Sequence, residues 1–197
     1  ASARDDEALG RALAIGDVCA IGDGVVECDA RDERVVKIRL RGRGLRGRLP
    51  ERVARMERLT TLDASDNALE GTIPEEFLLA MPNLVELHLN LNTLEGPIPR
   101  SIGTLTRLEV LNLDGGFTER QRRFDASVPV DKRDVYGFRG THFGNQLSGS
   151  VPAEIGNLVK LRELNLHRNM LGSKTDRLAL PASVGNLVAL ESMDVSG

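Results

Sequence analysis

Residues that could perform chemistry are few and scattered in this sequence of 197 residues. His88, His142 and His167 are isolated from one another along the chain, and neither the phosphate-binding motif GxxxxGK[ST] nor the nucleophile motif GxSxG is present. The zinc motif HExxH is also absent. We therefore expect no catalytic residue, no metal site and no cofactor, and the sequence directs attention to binding instead.

The side chains best suited to binding are concentrated in one segment, at about 115–144. It holds five of the six aromatic residues in the chain and is also rich in arginine. Aromatic and arginine side chains are enriched in binding hot spots, so we expect a partner-binding flap here. The candidate residues are Phe117, Arg120, Arg122, Arg123, Phe124, Tyr136, Phe138 and Phe143. The alternative is a structural flap whose aromatic side chains pack on the rest of the protein.

A repeated pattern, LxxLxLxxNxL followed by GxIP, must position these side chains. It recurs about every 24 residues, and its frame resumes after each of two insertions. The copies begin at Val35 (degenerate), Leu59, Leu84, Leu108 (interrupted, resuming at Asn145), Leu161 and Leu190 (a fragment). Such a regular frame predicts short strands that stack in parallel from one coil to the next.

Each part of the repeat has a predicted role in a coil. The leucines of LxL point inward, and the recurring asparagines stack as a ladder that satisfies backbone groups of a tight turn. The ladder asparagines are Asn67, Asn92, Asn145 and Asn169. Segments such as RSIGTLTR and AEIGNLVK are expected to form the opposite wall as short helical turns.

With its GxIP and IGxL motifs, the pattern resembles the plant-type leucine-rich-repeat family, which includes receptor-kinase ectodomains and polygalacturonase-inhibiting proteins. The resemblance covers about residues 5–197. It implies an α/β fold, namely a right-handed leucine-rich-repeat solenoid with parallel strands on its concave face and an N-terminal cap. It identifies the scaffold and leaves the ligand open.

The segment CAIGDGVVEC resembles the CxWxGVxC cap of that family, although the tryptophan is missing and the loop is longer. The resemblance implies a disulfide between Cys19 and Cys28 in a secreted protein. The alternative is two reduced cysteines in a cytosolic protein. We expect a cap over residues 1–34 and repeats over 35–197, with the insertion at about 115–144 and an open C-terminal end.

The positions that alternate with the inward leucines are expected to form a polar concave face. These candidate binding residues are Arg39, Arg41, Asp63, His88, Asn90, Asn112, Asn165 and His167. Lys37, Arg39 and Arg41 alternate on the first full strand, so they share one face and could hold an anionic group. The alternatives are a solvated curved sheet and a solvated basic edge.

These features predict a non-catalytic module that recognises a protein, peptide or glycan through the concave face and the aromatic insertion. Alternatives are a structural subunit of a larger assembly and an inhibitor of a secreted hydrolase. A net charge of -3 argues against nucleic acid as a partner, and no apolar run is long enough for membrane insertion. We expect an extracellular or secretory location, although the absence of an NxS/T sequon leaves an organellar or intracellular one open.

Overall fold

The computed structural model describes residues 25–29, 34–51, 53, 55–116, 144–172 and 180–196. Within these ranges the chain coils through two β-sheets and a wall of short helices. The repeat frame predicted this solenoid, and its α/β class and parallel strands are confirmed.

The first sheet has seven strands, and each leucine-rich coil contributes one of them. In spatial order they are β1 (Val26–Cys28), β2 (Val35–Arg39), β4 (Thr61–Asp63), β6 (Glu86–His88), β8 (Val110–Asn112), β10 (Glu163–Asn165) and β12 (Ser192–Asp194). From β2 to β12 every pairing is parallel, whereas β1 pairs antiparallel with β2. Because these seven strands form one continuous sheet, they give the concave face its surface.

The core is a stack of side chains in strict register. Leu62 pairs with Leu87, Leu87 with Leu111, and Leu111 with Leu164 across the first sheet. All four are at most 1% exposed. Removing this apolar surface from water is the main stabilising term for the coil. The LxL leucines therefore point inward, as the sequence predicted.

The opposite wall consists of one α-helix and three 3-10 helices in the described part of the chain. They are α1 (Glu75–Leu79) and the 3-10 helices Arg100–Thr104, Ala153–Asn157 and Ala182–Asn186. Each follows a proline in extended conformation, whose fixed φ suits the first position of a helix. The helical turns expected at RSIGTLTR and AEIGNLVK are confirmed.

A second sheet of five strands, which the repeat pattern did not predict, lies beyond the ladder asparagines. Its strands are β3 (Arg46–Arg48), β5 (Ala68–Gly71), β7 (Thr93–Gly96), β9 (Gln146–Gly149) and β11 (Met170–Leu171). The glycine of GxIP closes β5, β7 and β9 with φ of 74°, 76° and 74°. Glycine adopts this left-handed conformation without the steric cost that other residues meet.

The predicted asparagine ladder is present, and each of its members ties neighbouring coils together. The Asn92 amide group donates to the carbonyl oxygens of Ala64 and Leu89, both at 3.0 Å, and its Oδ1 accepts the Leu69 N–H at 3.0 Å. Asn92 is completely buried. Asn67, Asn145 and Asn169 repeat the arrangement. The ladder therefore supplies hydrogen-bond partners to backbone groups that the turn would leave unpaired.

The frame closes across the insertion. Asn145 donates to the carbonyl oxygen of Leu113 at 3.2 Å and accepts the Leu94 N–H at 3.0 Å, as the uninterrupted coils do. Gly115 donates its N–H to His167 O at 2.8 Å. A Cβ added at Gly144 would lie 1.9 Å from Gly115 O and 2.6 Å from Gly116 O. The two ends of the insertion therefore meet, and Gly115 occupies the coil while the extra residues are 116–144.

The cap is described only from Val25 to Asp29 and at Arg34. There Cys28, on β1, is disulfide-bonded. The only other cysteine of the chain is Cys19, which lies outside the described residues. A bonded Cys28 agrees with the pairing that the cap motif implied.

Candidate recognition surface

The concave surface is organised as three columns of outward-facing residues that run across the coils. The first column holds Lys37, Thr61, Glu86, Val110, Glu163 and Ser192. The central column holds Arg39, Asp63, His88, Asn112, Asn165 and Asp194. The third column, directly after the strands, holds Arg41, Ser65, Asn90, Asp114, His167 and Ser196. Strand pairing places five of the predicted concave residues in the central column, and the other three, Arg41, Asn90 and His167, follow the strands in the third column.

Alternation along a strand produces these columns. In β6, Glu86 and His88 flank the buried Leu87 and are themselves partly exposed. The third column continues in register past the strand ends, because backbone N–H groups of one coil bond the carbonyls of the next. Leu91 N–H, for example, donates to Asp114 O at 3.0 Å, and Asp66 N–H donates to Asn90 O at 3.1 Å.

Most central-column side chains also serve the fold. Asp63 Oδ1 accepts the Ser65 N–H at 3.0 Å and its hydroxyl at 2.5 Å. Asn112 and Asn165 likewise accept the N–H two residues later, at 3.2 and 3.0 Å. These bonds cap the turn after the strand. The sequence placed these residues on the surface correctly but did not reveal that each commits an oxygen to its own coil.

In the last described coil, the same kind of hydrogen bond affects the pKa of the central-column residue Asp194. Asp194 Oδ1 accepts from the Ser196 hydroxyl at 2.6 Å and from the Ser196 N–H at 3.1 Å. The Ser196 hydroxyl, with the backbone bond second, holds the pKa of Asp194 below its usual range. His167 Nδ1 lies 2.7 Å from Ser196 O and 3.5 Å from Asp194 Oδ1. His167 therefore belongs to this polar cluster rather than standing isolated.

Basic side chains on β2 are partly neutralised by a residue that sequence reasoning missed. Glu27 on β1 pairs in register with Lys37, lies 3.5 Å from its Nζ, and also forms an ion pair with Arg39. The Arg39 guanidinium, and secondarily Lys37, lowers the pKa of Glu27. Among the three basic residues of β2 and its turn, Arg41 is the one with no ion pair in the described chain.

Charge changes sign along the concave surface. The coil of β2 presents Lys37, Arg39 and Arg41. The following coils present carboxylates in all three columns, namely Asp63, Glu86, Asp114, Glu163 and Asp194. An extended partner that crosses the coils would therefore meet a cationic end and an anionic remainder.

The base of the insertion borders this surface. Gly116 N–H donates to Asp114 Oδ1 at 2.8 Å, so the chain leaves the solenoid next to the third column. The predicted binding residues Phe117, Arg120, Arg122, Arg123, Phe124, Tyr136, Phe138 and Phe143 lie outside the described residues, as does His142. They remain predictions. Their attachment point, however, lies beside Asp114 of the third column.

Two kinds of feature are absent from the described ranges. No group of three or more His, Cys, Asp or Glu side chains converges there in a way that could hold a metal ion. None of the helices in that part of the chain has the length and apolar character needed to cross a bilayer.

Strand register, the asparagine ladder and the three columns together define the class of fold: the described part of the chain forms a leucine-rich-repeat solenoid. The family model described as Leucine Rich Repeat matches residues 58–78 and 83–105. Over 84 residues the chain is 34% identical to the LRR receptor-like serine/threonine-protein kinase GSO2 of Arabidopsis thaliana. This match covers 43% of the chain and 6% of that kinase, so the chain spans only a small part of the relative.

Solved ectodomains of receptor kinases share the fold. The LRR ectodomain of SOBIR1 from Arabidopsis thaliana matches with a TM-score of 0.67 and 22% identity, covering 100% of this chain and 92% of that one. The LRR ectodomain of the Arabidopsis receptor kinase HAESA, solved in complex with an N-terminally extended IDA peptide hormone, matches with a TM-score of 0.59 and 27% identity. That match covers 98% of this chain and 32% of the HAESA chain.

Proposed function

We propose that this chain is a non-catalytic recognition module that binds an extended peptide, or an extended segment of a protein, across its concave face. One observation carries the proposal: three columns of side chains, polar except for Val110, lie in register across the coils and change from cationic to anionic along the axis. Core packing requires only the inward residues, and the turn-capping bonds of Asp63 and Asp194 engage only Oδ1 of each carboxylate, so this pattern of charge is available for a partner.

The comparisons support a peptide as the occupant. HAESA, whose ectodomain shares this fold, has been solved with a peptide hormone bound. An extended peptide also suits the surface geometrically. Coils repeat about every 4.8 Å while an extended chain advances about 3.3 Å per residue, so one ligand can contact several coils.

Charge sets the orientation of the partner. We expect an acidic part of the ligand beside Arg41 and a basic part beside the carboxylates of the later coils, such as Asp114 and Glu163. The insertion, which leaves the solenoid beside Asp114, is expected to add aromatic and arginine contacts to the same ligand. Phe117, Phe124, Tyr136, Phe138 and Phe143 are the proposed aromatic contacts.

The proposal is tested by panning a random-peptide library on the immobilised chain and measuring the affinities of the selected peptides. Arg41→Glu should weaken them about tenfold or more, because a favourable charge contact becomes a repulsive one. Arg107→Glu is the matched control, since Arg107 is exposed and lies outside the three columns. Selected peptides should carry an acidic cluster. Failure to select any peptide, or equal loss in both variants, would reject concave-face recognition.

We further propose that the chain functions in an extracellular or secretory compartment. Disulfides persist in oxidising compartments, and Cys28 is bonded. Alkylation of protein from its native source, followed by intact-mass measurement, should show no free thiol. Two alkylated cysteines would place the protein in a reducing compartment and contradict the proposal.

A further inference from the structure

One coil of the concave face differs from its neighbours in its hydrogen bonding. In the coils of β4, β8, β10 and β12, a central-column Asp or Asn accepts the N–H of the third-column residue. In the coil of β6 the central residue is His88, and no hydrogen bond of the Asn90 N–H is present among the described residues. The β6 coil therefore keeps free a backbone donor that the coils of β4, β8, β10 and β12 bond internally.

The Asn90 side chain adds an unused acceptor at the same place. Its Oδ1 is shielded from solvent and has no hydrogen-bond partner among the described residues, although the residue as a whole is only partly buried. The Asn90 carbonyl is satisfied, since it accepts from Asp66 N–H at 3.1 Å and from Asn92 Nδ2 at 3.3 Å. Among the described residues, the backbone N–H and Oδ1 of Asn90 thus have no hydrogen-bond partner, and neither has its Nδ2.

Leaving a buried polar atom unpaired is destabilising. An apolar side chain of the same size would avoid this, and the fold does not need the Asn90 amide, because the ladder function belongs to Asn92. The Cβ–Cγ bond of asparagine has a broad torsional preference, so a rotation about it would allow Oδ1 to turn toward an arriving group. Asn90 is therefore arranged to bond a group that arrives from outside.

The residues around Asn90 indicate which kind of ligand group could bond it. His88, the central-column residue of the same coil, has no hydrogen bond or ion pair within the described chain. The flanking third-column residues are Ser65, whose hydroxyl is committed to Asp63, and Asp114, whose Oδ1 accepts from Gly116. The free groups of this coil therefore offer a neutral donor and a neutral acceptor, which match the C=O and N–H of a peptide group.

We infer that Asn90, with His88 beside it, forms the central subsite of the concave face, where it hydrogen-bonds a main-chain amide of the bound peptide. The ligand N–H donates to Asn90 Oδ1, and its carbonyl accepts the Asn90 N–H. The subsite rests on the proposed function and deepens it, because it recognises the peptide backbone and leaves the choice of side chains to the charged columns.

The first test compares three variants on peptides selected with the wild-type chain. Asn90→Leu keeps the side-chain size and the backbone N–H but removes the side-chain amide, and it should weaken binding about tenfold, the factor one neutral hydrogen bond supplies. Asn90→Asp keeps an acceptor oxygen and should bind better than Asn90→Leu. Asn186→Leu, at an exposed asparagine of the 3-10 helix Ala182–Asn186, is the control and should leave affinity unchanged.

The second test identifies the ligand atom. Each backbone N–H of one selected peptide is replaced in turn by N-methyl. One position should cost about tenfold with the wild-type chain and nothing extra with Asn90→Leu, because the same hydrogen bond has been removed from either side. If, at every position, the loss caused by N-methylation simply added to the loss caused by Asn90→Leu, the inference would be overturned.

The outcomes separate this inference from the broader proposal. Selected peptides that bind Asn90→Leu as tightly as wild type reject the subsite and leave concave-face recognition standing. A thermal midpoint that falls by several degrees in Asn90→Leu also rejects it, because the amide would then be structural. If the wild-type chain selects no peptide, the proposed function and the subsite fail together.

Discussion

Asn90 and Asn92 are two residues apart and of the same type, yet they belong to two different regions of the molecule. Asn92 lies in the buried ladder, where every polar atom of its side chain has a partner. Asn90 lies in the third column of the concave face, where its Oδ1 has none. The contrast shows that the ladder uses asparagine to hold coils together, whereas the concave face keeps it available for a partner.

The largest effect that separates the two regions should come from truncating the ladder. Asn92→Ala leaves the Leu69 N–H and the carbonyls of Ala64 and Leu89 without their side-chain partner inside the protein. We expect the free energy of unfolding to fall by about 4 kcal/mol, measured by urea denaturation. Asn90→Ala should cost less than about 1 kcal/mol. Equal losses would erase the distinction between ladder and concave face.

A smaller loss is expected where the insertion joins the ladder. Gly144 has a φ of 97°, and an added Cβ would meet Gly115 O at 1.9 Å. Gly144→Ala should therefore cost about 3 kcal/mol from backbone strain and displacement. The control is Gly185→Ala, because nothing lies within 4 Å of the corresponding Cβ. If the Gly144→Ala protein were as stable as that control, the backbone at the base of the insertion would be able to move aside at little energetic cost.

Removing the insertion should affect binding more than folding. Deletion of 116–144 joins Gly115 directly to Asn145 and restores the spacing that connects Leu89 to Asn92 in the previous coil. Because the two ends already meet, we expect the thermal midpoint to shift by only a few degrees, or about 1 kcal/mol. Binding of selected peptides should weaken. A collapsed fold would support the structural-flap alternative, and unchanged affinity would remove the insertion from the recognition surface.

The smallest effect concerns the ion pairs of Glu27 on the concave face. Its pKa is lowered by Arg39, so its contribution to stability is present above the pKa of the unfolded chain and is lost as pH falls through the folded pKa. Glu27→Gln should therefore lower the thermal midpoint slightly at neutral pH and not at all at strongly acidic pH. Glu95→Gln, at an exposed carboxylate without a described partner, is the control. A difference that persists in acid would exclude the ion pair as its cause.

Much of the fold could be predicted from the sequence, because the residues that point into the core recur at a regular spacing. The LxL leucines fixed the strands of the first sheet, and the asparagines fixed the ladder even across the insertion, where Asn145 still bonds Leu113. Strand alternation also placed His88 and Asn165 in the central column. Periodicity determines which face a residue occupies, and that information was enough for these features.

Other features escaped prediction because they depend on side-chain torsions or on contacts outside the repeat. Glu27 precedes the first repeat, so no spacing rule linked it to Arg39. The hydrogen bond that the Ser65 N–H donates to Asp63, and the absence of its counterpart at His88, depend on whether a side chain can accept the N–H two residues later. The second sheet arises from short segments such as Ala68–Gly71, which carry too little alternation to predict a strand.

Hydrogen–deuterium exchange of the chain with and without a selected peptide tests concave-face recognition most directly. We expect slowed exchange in β4, β6 and β8 and in the turns that follow them, with the strongest protection at the N–H of Asn90, because these amides border the ligand. Exchange in the 3-10 helices Arg100–Thr104 and Ala153–Asn157 should remain unchanged. Protection confined to those helices, with no change along the concave strands, would contradict recognition by the concave face.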